Sequence, residues 1–295
     1  MKNIQQVKIS VVIPSFERVQ SLREAIESVL RQTFIHFEII VVNDSSNEKP
    51  IIDLINSLND SRIKYLRNER KKGGNGARNT GILNAKGKYI AFLDDDDEWL
   101  EDKLEDQYNS LESNKENFAG VWSDFLILKN DKWIKNISRS LPDNFIKEIV
   151  SDQISIGTSS NLLLKKEIAI STLFDENLER YQDIDFLIRI LRKNRLKHLD
   201  KVHFKYYPGK FNNPYILERA TKLFLRKIRP ELNSFSVSEK RKLFAHKYYS
   251  LAKMFSENGK YMKTFKSVIQ IYRYRPINPL TVFKLLLKSV INHAK

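Results

Sequence analysis

The chain has 295 residues, 41% of them hydrophobic and 29% charged, enough apolar content for a sizeable core and too much for a disordered chain. It has no cysteine, which excludes disulfides, thiolate zinc sites and a cysteine nucleophile. The net charge of +15 is lopsided: residues 201–295 hold 21 Lys and Arg against four acids, so the rest of the chain is close to neutral and two different roles are expected.

Lys8–Ile13 is a β-branched run that stops at Pro14-Ser15. Ser21–Gln32 has apolar residues at helical spacing, with Ser21 in place for an N-cap. Phe37–Val42 reads as a second strand, ending at Asn43-Asp44-Ser45-Ser46. Ile51–Leu58 reads as a helix and Ile63–Leu66 as a short strand. A glycine-rich turn, Lys71–Gly76, leads into a helix over Ala77–Ala85, and Tyr89–Leu93 has the length and composition of a buried strand. This β-α-β-α-β-α-β order predicts an α/β fold with a mostly parallel sheet and flanking helices. Beyond it, strands are expected over Phe118–Leu128, continuing toward Trp133, and over Ser159–Leu164. Helices are expected over residues 141–150 and Asp183–Lys193. From about Pro214 the pattern is helical, with breaks at Pro230 and Pro276, so a catalytic domain over 1–215 and a basic helical region over 216–295 are expected. Within that region residues 244–276 have a helix–turn–helix rhythm near one tetratricopeptide-type repeat, read as a helical hairpin on its neighbours.

The run Tyr89–Leu93 ends in Asp94-Asp95-Asp96-Asp97. Four adjacent carboxylates repel one another, and solvent, a cation or a ligand must offset that. Strand ends are where open α/β sheets bind ligands, so a hard divalent metal is suggested. An EF-hand is disfavoured, because its alternating ligands and central glycine are absent. No Gly-Lys-Ser/Thr follows the glycines at 73, 74 and 76, so there is no Walker match. Asp97 is expected to cap the next helix, with Glu98 in its first turn.

Taken in order, Val11-Val12-Ile13-Pro14-Ser15-Phe16, Val41-Val42-Asn43-Asp44-Ser45-Ser46, Gly76-Ala77-Arg78-Asn79-Thr80-Gly81 and Tyr89–Asp97 resemble the family 2 glycosyltransferases of the GT-A fold, over about residues 8–200. The resemblance implies an inverting transfer of a sugar from a nucleotide-sugar donor, UDP-linked, to a hydroxyl of a glycan or lipid-linked glycan in bacterial surface-polysaccharide assembly. It maps the family's Asp-x-Asp onto Asp94-Asp95-Asp96, with Asp96 as ligand for Mn²⁺ or Mg²⁺ and Asp94 and Asp95 near the ribose and the metal. It places Asp44 at the base, although Asn43 and Ser45 depart from the usual Asp-Asp-Gly-Ser. Pro14, Ser15 and Phe16 would meet the nucleotide, Phe16 by stacking or as plain core. Arg78 and Asn79 would meet phosphate, or Arg78 would pair with the aspartates. Farther along, Phe174-Asp175-Glu176 matches the family's Phe-Asp-Glu and Gln182-Asp183-Ile184-Asp185 its following Glu-Asp-x-Asp, with Gln182 replacing the first acid of that second motif. Asp183 is then the general base, taking the acceptor hydroxyl's proton; N-capping is the alternative for Asp183 and Asp185. Gly157–Ser160 is a candidate lining of the acceptor site, and His203 a candidate diphosphate contact, ahead of Lys205 and Lys210.

Two alternatives stand beside this reading: a nucleotidyltransferase of related sheet architecture, and a non-catalytic polyanion- or membrane-binding scaffold. The basic tail fits docking to an anionic membrane surface or packing on the enzyme or a partner; no nucleic-acid motif is present. Residues 1–8 carry no apolar signal-peptide core, and no run reaches about 18 apolar residues; Leu280–Ile291 is interrupted by Lys284 and Lys288. The expected location is cytoplasmic, with peripheral association at the inner face of the cell membrane.

Overall fold

The computed structural model describes residues 6–113, 116–129, 132–136, 145–151, 153–209, 211–275 and 278–293. The first β-branched run forms β1 (Ile9–Ser15), buried along its whole length. There follow α1 (Val19–Leu30), β2 (Phe37–Asn43), α2 (Lys49–Leu58), β3 (Ile63–Arg67), α3 (Gly74–Asn84) and β4 (Tyr89–Phe92). β1 pairs in parallel with β2 and β4, and β2 in parallel with β3. One face of α1 (Leu22, Ala25, Ile26, Val29) joins the core formed with β1 and β2; each fully buried Leu, Ile or Val contributes about 1.5–3 kcal/mol.

Two local expectations need correction. Ser21 lies inside α1, and Arg18 stands at its N-cap with no side-chain cap bond. α3 begins within the glycine turn, at Gly74 rather than Ala77. There a Cβ on Gly76 would lie 1.9 Å from the Lys71 carbonyl oxygen, so only glycine lets the helix start against that strap of backbone.

The chain continues through β5 (Glu98–Trp99), α4 (Lys103–Glu112), β6 (Gly120–Lys129), β7 (Lys132–Asn136), α5 (Phe145–Val150), β8 (Leu163–Lys165), α6 (Lys166–Thr172), α7 (Gln182–Leu191) and β9 (Leu196–Tyr206). Residues 141–144 of the expected helix lie outside the described residues. The sheet runs β3-β2-β1-β4-β8-β6-β9-β5, with β7 on β6. β8 is antiparallel to β4 and β6, while β6 and β9 are parallel, so the sheet is mixed. The strand expected over Ser159–Leu164 splits: Ser159–Asn161 is a 3-10 turn, capped by the Thr158 hydroxyl accepting the Ser160 N–H, and β8 starts only at Leu163.

Two compact units divide the chain. The first comprises Met1–Asp143, Ile154–Asn177 and Gln182–Pro208 and carries the sheet. The second comprises Asn144–Gln153, Leu178–Tyr181 and Gly209–Lys295. It contains α5, α8 (Pro214–Lys227), α9 (Val237–Glu257), α10 (Tyr261–Tyr274) and α11 (Pro279–His293). Asn213 caps α8, and a reciprocal Ser236–Glu239 box caps α9. α9, α10 and α11 share a small core of Ala245, Ala252, Val268, Ile271 and Leu285. Pro276 lies outside the described residues. No helix among the described residues is long and apolar enough to cross a membrane.

Candidate active site

The crossovers step outward from β1 to β2 and β3, then return to β4 on the other side of β1. The point where strand order reverses is where an open α/β sheet offers a crevice. Two loops leave the strands there, Phe16–Arg18 after β1 and Asp94–Asp97 after β4. Leu93 N–H donates to the Val12 carbonyl at 3.1 Å, keeping the strand ends level.

The two loops are tied together by charge. Phe16 N–H donates to Asp95 at 3.3 Å, and the Arg18 guanidinium forks onto Asp95 and, at 2.6 Å, onto Asp96. Arg78, on the first turns of α3 and only 5% exposed, donates to Asp94 at 2.5 Å. Asp183, at the start of α7, accepts the Ser159 N–H at 3.2 Å. Asp94 N–H in turn donates to the Ser160 hydroxyl at 3.0 Å. The 3-10 turn therefore fastens Asp94 and Asp183 from two consecutive residues.

Electrostatics mark the rim as rich in negative charge. Burial pushes the Asp95 carboxyl up to about 6, against the pull of Arg18 and with a further push from Asp96 and Asp94. Asp96 is raised in the same way, by burial first. Burial also raises Asp183, Arg78 opposing and Asp94 reinforcing. Burial works against the charge on Arg78, but Asp94, Asp183 and Asp95 outweigh it and hold the guanidinium above its ordinary value. Two arginines thus face four carboxylates, and a further cation fits the balance.

Asp97 is not a helix cap. It is buried before β5, accepting from the Thr158 hydroxyl at 3.0 Å, the Ser160 hydroxyl at 2.6 Å and Tyr207 N–H at 3.2 Å, and burial raises its carboxyl well above the ordinary value. Glu98, expected in a helical first turn, is in β5 and pairs with Lys205 at 3.0 Å.

Residues 10–172 match the family model described as Glycosyl transferase family 2. The chain belongs to glycosyl transferase family 2. It is 29% identical over 295 residues to an uncharacterized glycosyltransferase of Methanocaldococcus jannaschii, covering 95% of this chain and 92% of that one. It is 37% identical over 123 residues to the UDP-Glc:alpha-D-GlcNAc-diphosphoundecaprenol beta-1,3-glucosyltransferase WfgD of Escherichia coli, covering 42% of this chain and 47% of WfgD. It spans about a third of the length of three Rickettsia glycosyltransferases it matches. Among solved structures, S. aureus TarS 1-349 in complex with UDP-GlcNAc superposes with a TM-score of 0.65 at 17% identity, over 97% of this chain and 89% of that one. The mannosyltransferase PcManGT from Pyrobaculum calidifontis, in complex with GDP-Man and Mn2+, gives 0.56 at 13%, over 98% and 81%. The fold is GT-A, and the family match sets the nucleotidyltransferase alternative aside.

Within this family 2 glycosyltransferase, the other expected residues sort clearly. Pro14 and Ser15 are buried at the end of β1, and Phe16 is 44% exposed beside the rim, with the Lys72 ammonium 5.3 Å over its ring. Asp44, just past β2, accepts from Gly73 N–H at 2.7 Å and the Asn68 amide at 2.6 Å, and its own N–H donates to Ser15. Gly73 has φ of 124°, a backbone shape that favours glycine. Asn79 is buried and spent on the Phe174–Glu176 segment, exchanging bonds with Phe174 at 2.8 and 2.9 Å. Asp185 pairs with Arg189 at 2.8 Å within α7. His203 does not join the rim. It lies inside β9, fully buried, with Nε2 2.9 Å from Asp106. Lys210 lies outside the described residues.

Sequence reasoning overlooked Arg18, whose signal was its place two residues after Phe16 in the β1 turn. It also overlooked Lys103, which is fully buried 4.8 Å over the Trp99 ring and donates to Gln107 at 2.6 Å and to the Asn161 carbonyl at 3.1 Å. It thereby anchors the 3-10 turn from beneath. No sequence signal marks it, since a lysine at a helix start reads as solvent-facing.

Proposed function

We propose that this chain transfers a sugar, with inversion, from a UDP-sugar to a hydroxyl of a glycan or lipid-linked glycan, in bacterial surface-polysaccharide assembly. The observation that carries the reading is the convergence of Asp94, Asp95, Asp96, Arg78 and Asp183 at the reversal of strand order. WfgD, by its name, uses UDP-Glc and a diphosphoundecaprenol-linked acceptor; a similar acceptor here would put the enzyme at the inner face of the membrane.

Hard oxygen donors with surplus negative charge suit Mn²⁺ or Mg²⁺, and Asp96, half-buried with Arg18 on one oxygen, keeps room for a ligand. Asp96 would hold the ion with Asp94 or Asp95. Such an ion supplies Lewis-acid charge for the departing diphosphate. Phe16 would stack on the base and Asp44 would accept from it. Asp183 would take the proton from the acceptor hydroxyl as that oxygen attacks the anomeric carbon. Its raised carboxyl makes it a stronger base than an ordinary aspartate. Arg78, facing both Asp94 and Asp183, would keep the base ionised.

A donor screen for nucleotide release, run on wild type, Asp96→Ala and Asp183→Ala, tests this. Asp96→Ala is expected to weaken UDP binding in Mn²⁺, and Asp183→Ala to bind donor normally and not transfer. Normal turnover by Asp183→Ala would remove the base assignment.

A further inference from the structure

The last two helices bury a small core and still leave a second apolar face outside. A helix on a water-facing surface turns its large apolar residues inward and its polar residues outward. On α10 the inward positions are Thr264, Ser267, Val268 and Ile271, while Tyr261, Met262, Phe265, Ile269 and Tyr272 are exposed, Met262 by 62%. On α11 Ser289 is buried beside Leu285, while Leu280, Phe283, Leu287, Val290 and Ile291 are exposed, Phe283 by 61%. At about 100° per residue each exposed set falls within an arc of roughly 100° on its helix. Beside the small apolar core these helices share with α9, they also meet through hydroxyls: Thr264 and Ser289 hydroxyls lie 3.3 Å apart, and the Ser256 hydroxyl donates to the Leu285 carbonyl at 2.6 Å. Large apolar residues left outside a helical unit that already has its own core mark a surface that another apolar phase covers.

Charge names the occupant. From Asn258 to Lys295 the chain has eight Lys and Arg and no acid. Lys266 and Arg273 border the apolar arc of α10, and Lys284 borders that of α11, all exposed; Lys288 is partly satisfied by Glu257 at 3.1 Å. A second copy of this surface would set Lys266, Arg273 and Lys284 against their own counterparts. An anionic bilayer interface offers hydrocarbon for the arcs and negative charge for their edges.

We propose that the exposed faces of α10 and α11 dock this protein in the plane of an anionic lipid bilayer, with Phe283, Leu287 and Met262 entering the acyl boundary. The surface stands on its own geometry, and its test reads vesicle binding rather than transfer.

The full-length chain is sedimented with phosphatidylglycerol/phosphatidylcholine vesicles and with pure phosphatidylcholine vesicles. Wild type is expected to partition to the anionic vesicles at least about tenfold more strongly, from roughly 1 kcal/mol per lysine near such a surface. Phe283→Ser with Leu287→Ser, and separately Lys266→Glu with Lys284→Glu, are each expected to lower that partition about tenfold or more. Because these side chains are exposed, circular dichroism and Tm should match wild type, which separates lost docking from lost folding. Equal binding to both vesicle types, no binding, or undiminished binding by the Phe283/Leu287 variant overturns the proposal. So does a wild-type dimer in sedimentation velocity that the same variant abolishes, since the face would then be a contact between copies.

Discussion

Arg78 Nη2 lies 2.5 Å from Asp94 Oδ1, the arginine buried and the aspartate partly open to solvent. The same guanidinium also acts on Asp183, so one cation balances carboxylates from the end of β4 and the start of α7. Removing it would strand both. Arg78→Met is therefore expected to cost about 3–5 kcal/mol, the range for breaking a buried pair from one side. Arg78→Lys should cost less while still losing the planar fork. Urea unfolding monitored by circular dichroism checks both; equal stability of Arg78→Met and wild type would show that the pairing contributes nothing.

Asp183→Asn keeps the shape and the Ser159 contact but removes the basic oxygen. Transfer should fall by about 10²–10⁴-fold with the donor KM little changed. Wild-type turnover should also decline on acidification with a midpoint above the ordinary aspartate value of 3.8, because burial raises this carboxyl. Rates at saturating donor across the acid range measure it, and a profile flat down to ordinary aspartate values would contradict it.

Arg18 spreads its charge over Asp95 and Asp96. If those carboxylates take Mn²⁺ as proposed, Arg18→Gln removes a competing positive charge. Mn²⁺ binding without nucleotide should then tighten by about tenfold, equivalent to about 1.4 kcal/mol of Coulomb energy near a protein surface. Titration calorimetry with Mn²⁺ alone reads this, and weaker binding by the variant would argue that Arg18 organises the rim instead.

Asp95 links stability to pH. Its folded-state value of about 6 lies above the ordinary 3.8, so between those values the native state binds more protons than the unfolded chain. The contribution of this group is then fully present below about 4 and is lost as pH rises through about 6. Asp95→Asn escapes that loss. Its stability relative to wild type should improve by an amount on the order of 2 kcal/mol between about pH 4 and pH 7. Paired urea titrations at the two ends test the sign; an unchanged gap would place the ionised carboxyl at no disadvantage in the fold.

β1, β2 and β4 were legible because each buries a continuous apolar run, and α1 because it buries a single helical face; those patterns are local, whereas α3 is buried nearly all round. The aspartate rim was legible because four like charges in a row have few uses. What escaped depends on partners distant in sequence. Asp97 looks like a cap until Thr158, Ser160 and Tyr207 surround it. Ser159–Leu164 looks like one strand until the Thr158 hydroxyl closes a turn over its first half. His203, a candidate diphosphate contact by resemblance, lies inside β9 between residues paired with β6, and its ring meets Asp106.

Between Phe16 and Arg18 stands Glu17, with φ of 61°, a torsion that costs an ordinary side chain about 1–2 kcal/mol. Across that twist the Phe16 amide and the Arg18 guanidinium both meet the Asp95 carboxylate. The clasp is sprung, and it is latched from outside by the Ser45 hydroxyl on the Glu17 carboxylate at 3.1 Å. A change just past the neighbouring strand, at Ser45, would thus be felt among the aspartates without touching any of them.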